Sequence, residues 1–379
     1  MSIRSFFSFC VAILAIGSLA GSAVAQSTSA VPRKPSAVQA RIDQANQGTI
    51  GVISGGIGGT YIRIATDLAS VLHEGNKLRV LAIAGRGSVQ NINDILYLRG
   101  IDIGIVQSDV LAYFKRQPQY NNIESRIHYI TKLYNEEFHL VASSDIKKVS
   151  DLAGRKVNFG VKGSGTFMTA STVFRLLRIS PKPVHMDQAL AIEKIKRGEI
   201  AATIYVSGKP SRVVADLKRE DGLHIVPVDY VPALRSAYLP ARFTNRDYPS
   251  LISQGETVNS IAVGAVMAVY NWNPKTKRYA KVVKFINAFF SNFDKFLKSP
   301  RHKKWHEVNL SAELPGWKRF GPAARWLAKN GSKSGKLKTA FNRFLSQTGG
   351  STQTGGLDAK KTDELFRRFL KWQAQAKTQ

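Results

Sequence analysis

Short apolar runs rich in β-branched residues alternate along this chain with stretches whose apolar positions recur every three or four residues. Thr49-Ile50-Gly51-Val52-Ile53-Ser54 is the first such run, and it ends in Gly55-Gly56-Ile57-Gly58-Gly59 before Thr60 opens a helical pattern. Ile62, Ala65, Leu68, Ala69 and Leu72 then follow at helical spacing, which predicts a strand, a glycine turn and an amphipathic helix. Leu78 to Ala84 reads as a strand, Val89 to Leu98 as a helix, Ile101 to Val106 as a strand, and Asp109 to Lys115 as the start of another helix. Such alternation implies a parallel sheet with helices on its faces.

The same grammar restarts near Phe138. Phe138 to Ser143 predicts a strand, Lys156 to Val161 a second, Gly163-Ser164-Gly165-Thr166 a loop and Thr169 to Leu177 a helix, with Ala189 to Arg197 and Ala201 to Val206 continuing as helix and strand. Because the strand-glycine-helix opening occurs once in each unit, the expectation is two α/β lobes rather than one long sheet. Ile261 to Tyr270 is an apolar strand that can return the chain to the first lobe, and Val282, Ile286, Phe289, Phe293 and Phe296 form a core-facing helical stripe. The expected organisation is a leader over 26–47, a discontinuous first lobe of 48–137 with 266–345, a second lobe of 138–265, and a linker with a short amphipathic helix over 346–379.

The N-terminus adds a processing signal. Arg4, an apolar run from Phe6 to about Ala20, and the small residues Ala23 and Ala25 predict a secretory signal peptide over 1–25 and a periplasmic product. The single cysteine, Cys10, falls inside that segment, so the mature chain is expected to carry no thiol or disulfide. No later stretch reaches the ~18 uncharged apolar residues a membrane helix needs.

Composition sharpens the question rather than answering it. The 379 residues hold 55 Lys+Arg against 26 Asp+Glu, a formal charge of +29, with 44% hydrophobic residues, enough for real cores. Dense basic charge suggests phosphate contacts, but export to a compartment without DNA speaks against a nucleic-acid partner and leaves an acidic ligand or an anionic membrane surface.

Chemical motifs point to binding. The first glycine loop fails the dinucleotide pattern at Tyr61, and neither glycine loop carries Gly-Lys-Ser/Thr. Glycines between a strand and a helix still let backbone N–H groups meet an anion at the helix start, and there are two such loops, at Gly59 and Gly165, one per lobe. There is no G-x-S-x-G, no H-E-x-x-H and no paired carboxylate motif, and His302 and His306 sit among Arg301, Lys303 and Lys304, which repel a cation. No catalysis, cofactor or metal is expected.

These residues carry a family resemblance. Gly-Gly-Thr-Tyr at 58–61, Gly87-Ser88-Val89-Gln90-Asn91, Asp102 to Asp109, Asp151 to Val157, Gly163 to Thr166 and Gly208-Lys209-Pro210 together resemble the TAXI family of extracytoplasmic receptors that serve TRAP transporters. The resemblance covers about 48–345. It implies a two-lobed periplasmic-binding fold of type II-like form, hinge-linked, monomeric, closing its cleft on a small acidic solute such as glutamate or 2-oxoglutarate and passing it to TRAP membrane subunits. By position it assigns Gly59, Thr60, Tyr61, Ser88, Asn91, Gln107, Ser164, Gly165 and Thr166 to the ligand. Arg86 stands where relatives have a smaller residue, and Arg63 departs likewise; each either pairs with a second acidic group of the ligand or is a solvated surface arginine. Tyr205 either contacts the solute or belongs to the core. The alternative function is a periplasmic sensor docking to a membrane kinase.

The charge is not centred on these loops. From Asn271 to Leu345 there are 18 Lys+Arg and 3 Asp+Glu, a net +15, which fits a docking face better than a pocket for one small acid.

Overall fold

The computed structural model of the protein describes residues 36–330. The signal peptide expected over 1–25, the last part of the first lobe expected over 331–345, and the linker and helix expected over 346–379 lie outside these residues. Ala37–Gln47, which the missing apolar periodicity assigns to a mobile leader, is instead helix α1. Its Ala, Gln and Arg residues favour helix on propensity alone, Gln39 Nε2 donates to Asp43 Oδ1 one turn on at 3.0 Å, and none of its residues is buried.

Strands β1 (Thr49–Ile53), β2 (Arg79–Ile83) and β3 (Ile103–Gln107) alternate with α2 (Thr60–Leu72) and α3 (Ser88–Tyr97), and β1 pairs in parallel with both neighbours. Helices α4 (Val110–Lys115) and α5 (Ile123–Arg126) lead into the long β4 (Ile127–Ser143). The second unit runs β5 (Lys156–Asn158), α6 (Gly165–Leu177), β6 (Lys182–Val184), α7 (Gln188–Lys196) and β7 (Ala202–Ser207). After it come α8 (Arg212–Ala215), β8 (Leu223–Ile225), β9 (Leu239–Thr244), β10 (Thr257–Tyr270), α9 (Lys277–Ser291) and α10 (Phe293–Phe296).

The sheet order is β2-β1-β3-β10-β4-β7-β5-β6, with β8 beside β4 and β9 beside β10. This corrects one expectation. The fold is two-lobed α/β, but the ladder does not break between the lobes, because β4 and β10 are 17 and 14 residues long and serve both. β10 pairs with β9 through 257–262 and with β3 through 265–269, while β4 passes from β10 to β7 at Glu137. The lobe boundaries anticipated at 137/138 and 265/266 therefore fall inside continuous strands.

What separates the lobes is packing. Alternate residues of a strand face opposite sides of the sheet, so each lobe has two cores. In the first, Ile50, Leu68, Ile105, Met267, Phe285, Phe289 and Trp305 pack on one side, and Ile53, Ile92, Val106, Phe114 and Val266 on the other. In the second, Phe138, Leu140, Val157, Val173, Ile204 and Val263 form one cluster, and Val141, Ile192, Phe243 and Tyr248 the other.

Local chemistry explains where elements stop and start. β5 ends at Asn158 rather than Val161 because the Asn158 side chain folds back to accept from Gly160 N at 3.1 Å, closing a turn. α6 begins at Gly165, earlier than the apolar pattern implies, because Ser164 Oγ accepts from Phe167 N at 3.1 Å and caps it. α9 buries Val282, Phe285, Ile286, Phe289 and Phe290, so its stripe is core. Thr276 Oγ1 caps that helix by accepting from Tyr279 N at 3.2 Å. Replacing Thr276 by alanine is expected to lower stability by about 1 kcal/mol, read as a small drop in melting temperature; no drop would mean that the cap contributes nothing.

Candidate ligand cleft

The two lobes meet where their glycine loops start helices. Gly59 precedes α2, Gly87 precedes α3, and Ser164 precedes α6. Gly87 has φ +110°, and a side chain there would stand 3.2 Å from the backbone N of Gly165, so the starts of α3 and α6 touch across the lobes. Hydrogen bonds close the contact. Gln90 N donates to Gly163 O at 3.0 Å, Thr169 Oγ1 donates to Gln107 Oε1 at 3.1 Å and to Asp109 Oδ2 at 2.9 Å, and Tyr238 Oη donates to Asp109 Oδ2 at 3.0 Å. Burial pushes the Asp109 carboxyl up to about 6, against the opposing pull of its Thr169 and Tyr238 hydrogen bonds.

A cavity of about 80 Å³ remains inside this contact. Its wall includes Gly59, Thr60, Tyr61, Arg86, Gln107, Ser164, Gly165, Thr166 and Tyr205, together with Gly55, Gly56, Gly87, Glu136, Val206 and Ser207. A second cavity of about 250 Å³ shares Gly56, Gly59, Arg86, Ser164, Thr166 and Tyr205 with it and adds Met186, Asp187 and Gln188. Of the residues anticipated from sequence, Ser88 and Asn91 are placed elsewhere. Both are fully buried: Ser88 Oγ accepts from Gln107 N at 2.9 Å, and Asn91 Nδ2 donates to Ser54 O at 2.8 Å and Ile105 O at 2.7 Å. They brace the loops that form the wall. Arg63 lies in an outer groove with Asp67, Lys209, Arg301 and Lys303 and lines neither cavity.

The sequence pattern missed Glu136. Tyr61 Oη donates to Glu136 Oε2 at 2.6 Å, and the carboxyl is 3% exposed. Burial pushes its pKa up to about 8, although the Tyr61 hydrogen bond favours the ionised form. Its neighbour Glu137 has a different environment: Lys304 Nζ lies 3.1 and 3.3 Å from its two oxygens, and Lys209 N donates to it at 2.8 Å. The reason for the miss is that Lys132, Asn135, Glu136 and Glu137 interrupt the apolar run, so 127–137 does not read as strand. Two adjacent acids in a chain this poor in acids were the available signal. Behind Tyr205, His139 is held by Tyr248 Oη at 2.6 Å and Tyr205 O at 3.0 Å, and burial lowers its pKa to about 4, so the ring is neutral.

The electrostatics have two poles. α2 and α6 are both 13 residues long and bring the partial positive charge of their N-termini to the cleft, and Arg86 adds a full cation on the wall. Glu136 is the acidic member of the smaller cavity. Such a site takes an anionic group with a hydrogen-bond donor beside it. Among the described residues no group of three or more His, Cys, Asp or Glu is placed to hold a metal ion.

Comparison with known proteins gives a family and distant structural likenesses. A model of the NMT1-like family matches residues 52–315. The periplasmic binding protein BugD is similar at 12% identity and a TM-score of 0.44, covering 74% of this chain and 93% of its own. R. palustris Rpa4515 with adipate is similar at 12% identity and a TM-score of 0.42, covering 76% and 95%. The VFT2 domain of Bordetella pertussis BvgS is similar at 13% identity and a TM-score of 0.39, covering 73% and 99%.

Proposed function

The chain belongs to the NMT1-like family, and from that membership and the cleft we propose that it is an extracytoplasmic receptor that closes two lobes on a small carboxylate. The observation that carries this reading is the convergence of two glycine-loop helix starts, one from each lobe, with Arg86 on a single cavity. Backbone N–H groups and hydroxyls suit a carboxylate bound without a buried lysine. The lobes, 48–137 with 266–330 and 138–265 among the described residues, hinge on β4 and β10, whose bending opens the cleft. The apolar N-terminal segment supports export to the periplasm, and the motif resemblance supports a TAXI-type receptor that delivers its solute, as a monomer, to TRAP membrane subunits.

The outer groove bears on that delivery. Arg63, Arg301 and Lys303 from the first lobe and Lys209 from the second share it, so an acidic permease surface or an anionic membrane surface is matched by charge and touches both lobes at once. Melting the mature protein against organic acids and amino acids tests the receptor reading. A ligand that binds only the folded state raises the melting temperature progressively with its concentration, and the expectation is such a rise for at least one carboxylate. A flat response across the whole panel would sink the proposal.

A further inference from the structure

Of two adjacent buried carboxyls on β4, one has a cation and the other has none. Glu137 is paired with Lys304, which is itself 3% exposed along its side chain and also reaches Glu307 at 2.7 Å. Glu136 forms no ion pair among the described residues, and its hydrogen bond from Tyr61 occupies Oε2 only. Arg86 shares the cavity wall with it yet is not within ion-pairing distance.

An unpaired carboxyl in a dry site is costly, whereas one whose counter-charge arrives with a ligand is a recognition device. Tyr61 is buried and keeps its proton, its own pKa lying well above the usual range, and its hydroxyl donates to Glu136 Oε2 at 2.6 Å. The pair therefore fixes the Glu136 carboxyl on the cavity wall, where it becomes a charged acceptor once a ligand cation favours loss of its proton. The opposite pole, the starts of α2 and α6 with Arg86, repels cations and attracts anions.

We infer that Glu136 is a specificity-determining residue that receives the protonated amino group of the solute, so that the ligand is an α-amino acid rather than an amine-free dicarboxylate. This rests on the carboxylate-receptor reading. It predicts a proton count as well as a preference. Burial holds the Glu136 carboxyl near 8 in the unliganded cleft, and the charged or titratable groups around it are Tyr61 from α2, Tyr134 and Glu137 from β4, Tyr205 from β7, Lys304 from the turn after α10, and Asp109 before α4. An arriving ammonium lowers that pKa, so binding at pH 7 releases a proton to the buffer, whereas an amine-free acid bound beside the already protonated Glu136 releases none.

The experiment is titration calorimetry with matched pairs: L-glutamate and glutarate, L-glutamine and glutaramate, L-alanine and propanoate. Each is run on the mature protein and on Glu136→Gln, in two buffers of different ionisation enthalpy. The expected result is that one amino acid binds about tenfold or more tightly than its partner and releases a proton. Glu136→Gln, which retains the Tyr61 hydrogen bond and should melt no lower than the parent at pH 7, loses about tenfold for that amino acid and little for its partner. An amine-free member binding as well as the amino acid, with the ratio unmoved by Glu136→Gln, overturns this inference and leaves the receptor reading standing. Failure of every probe to bind overturns the receptor reading, and this one with it.

Discussion

Replacing Gly165 by alanine is expected to weaken ligand binding about tenfold to a hundredfold while both lobes stay folded. The first residue of α6 has no left-handed backbone requirement, and alanine is the better helix former, so the second lobe itself loses nothing. The conflict lies across the cleft. A Cβ at this position would stand 2.2 Å from Gln107 Oε1 and 2.6 Å from Ser88 Oγ. Neither atom can step aside cheaply: Gln107 is 2% exposed and receives Thr169 Oγ1 on that same oxygen, and Ser88 is fully buried and holds Gln107 N. Forcing a methyl group into packed surroundings costs about 1–3 kcal/mol, and each 1.4 kcal/mol is a factor of about ten in affinity. The measurements are affinity for whichever acid the melting screen returns, and small-angle scattering with and without it. The variant should keep an unliganded melting temperature close to that of the parent and fail to contract on adding the acid. Contraction and affinity at the parental level would mean that the contact at Gly165 is not part of the closed state.

A second large effect concerns pH. The Glu136 carboxyl holds its proton up to about 8 in the folded protein, against 4.5 for the free side chain. Folding therefore takes up a proton between those values, and stability falls as pH rises through that interval, by up to about 1.4 kcal/mol per unit. Asp109 acts in the same direction between 3.8 and about 6. His139 acts oppositely: its folded pKa of about 4 lies below the ordinary 6.5, so stability is lost as pH falls through that range. Below 6.5 the contributions offset one another, while above it Glu136 is left as the acid still exchanging. The ligand-free protein is expected to lose about 2 kcal/mol between pH 6.5 and 8, and Glu136→Gln, which cannot ionise, should flatten that slope. Denaturant melts at four pH values decide the matter; an unchanged slope in the variant would show that Glu136 is not the group responsible.

Both predictions turn on contacts that differ in how far they could be read in advance. The strand-glycine-helix openings were legible because glycine punctuation and a change from β-branched run to helical spacing are local signals, and the loops they mark do line one cavity. Arg86 and Tyr205, whose positions left a surface or core role open, stand on the same wall. Ser88 and Asn91 belong to the same motifs, yet Ser88 Oγ is spent on Gln107, and Asn91 Nδ2 on Ser54 and Ile105. A motif names the residues that a loop needs without saying which of them support it and which face the ligand.

The strand register was less accessible. Polar residues over 132–137 conceal the first half of β4, because they are buried by pairing with β10 rather than by apolar character. The same concealment hid the unbroken sheet and Glu136. Local order thus determined the elements, the glycine loops and the two-unit plan, since periodicity and turn chemistry act over a few residues. Only the tertiary structure decided that Lys304, 167 positions away, would neutralise Glu137 and leave Glu136 to the cavity. Charge pairing in a dry interior depends on distance in space, and a folded chain sets that distance independently of sequence separation.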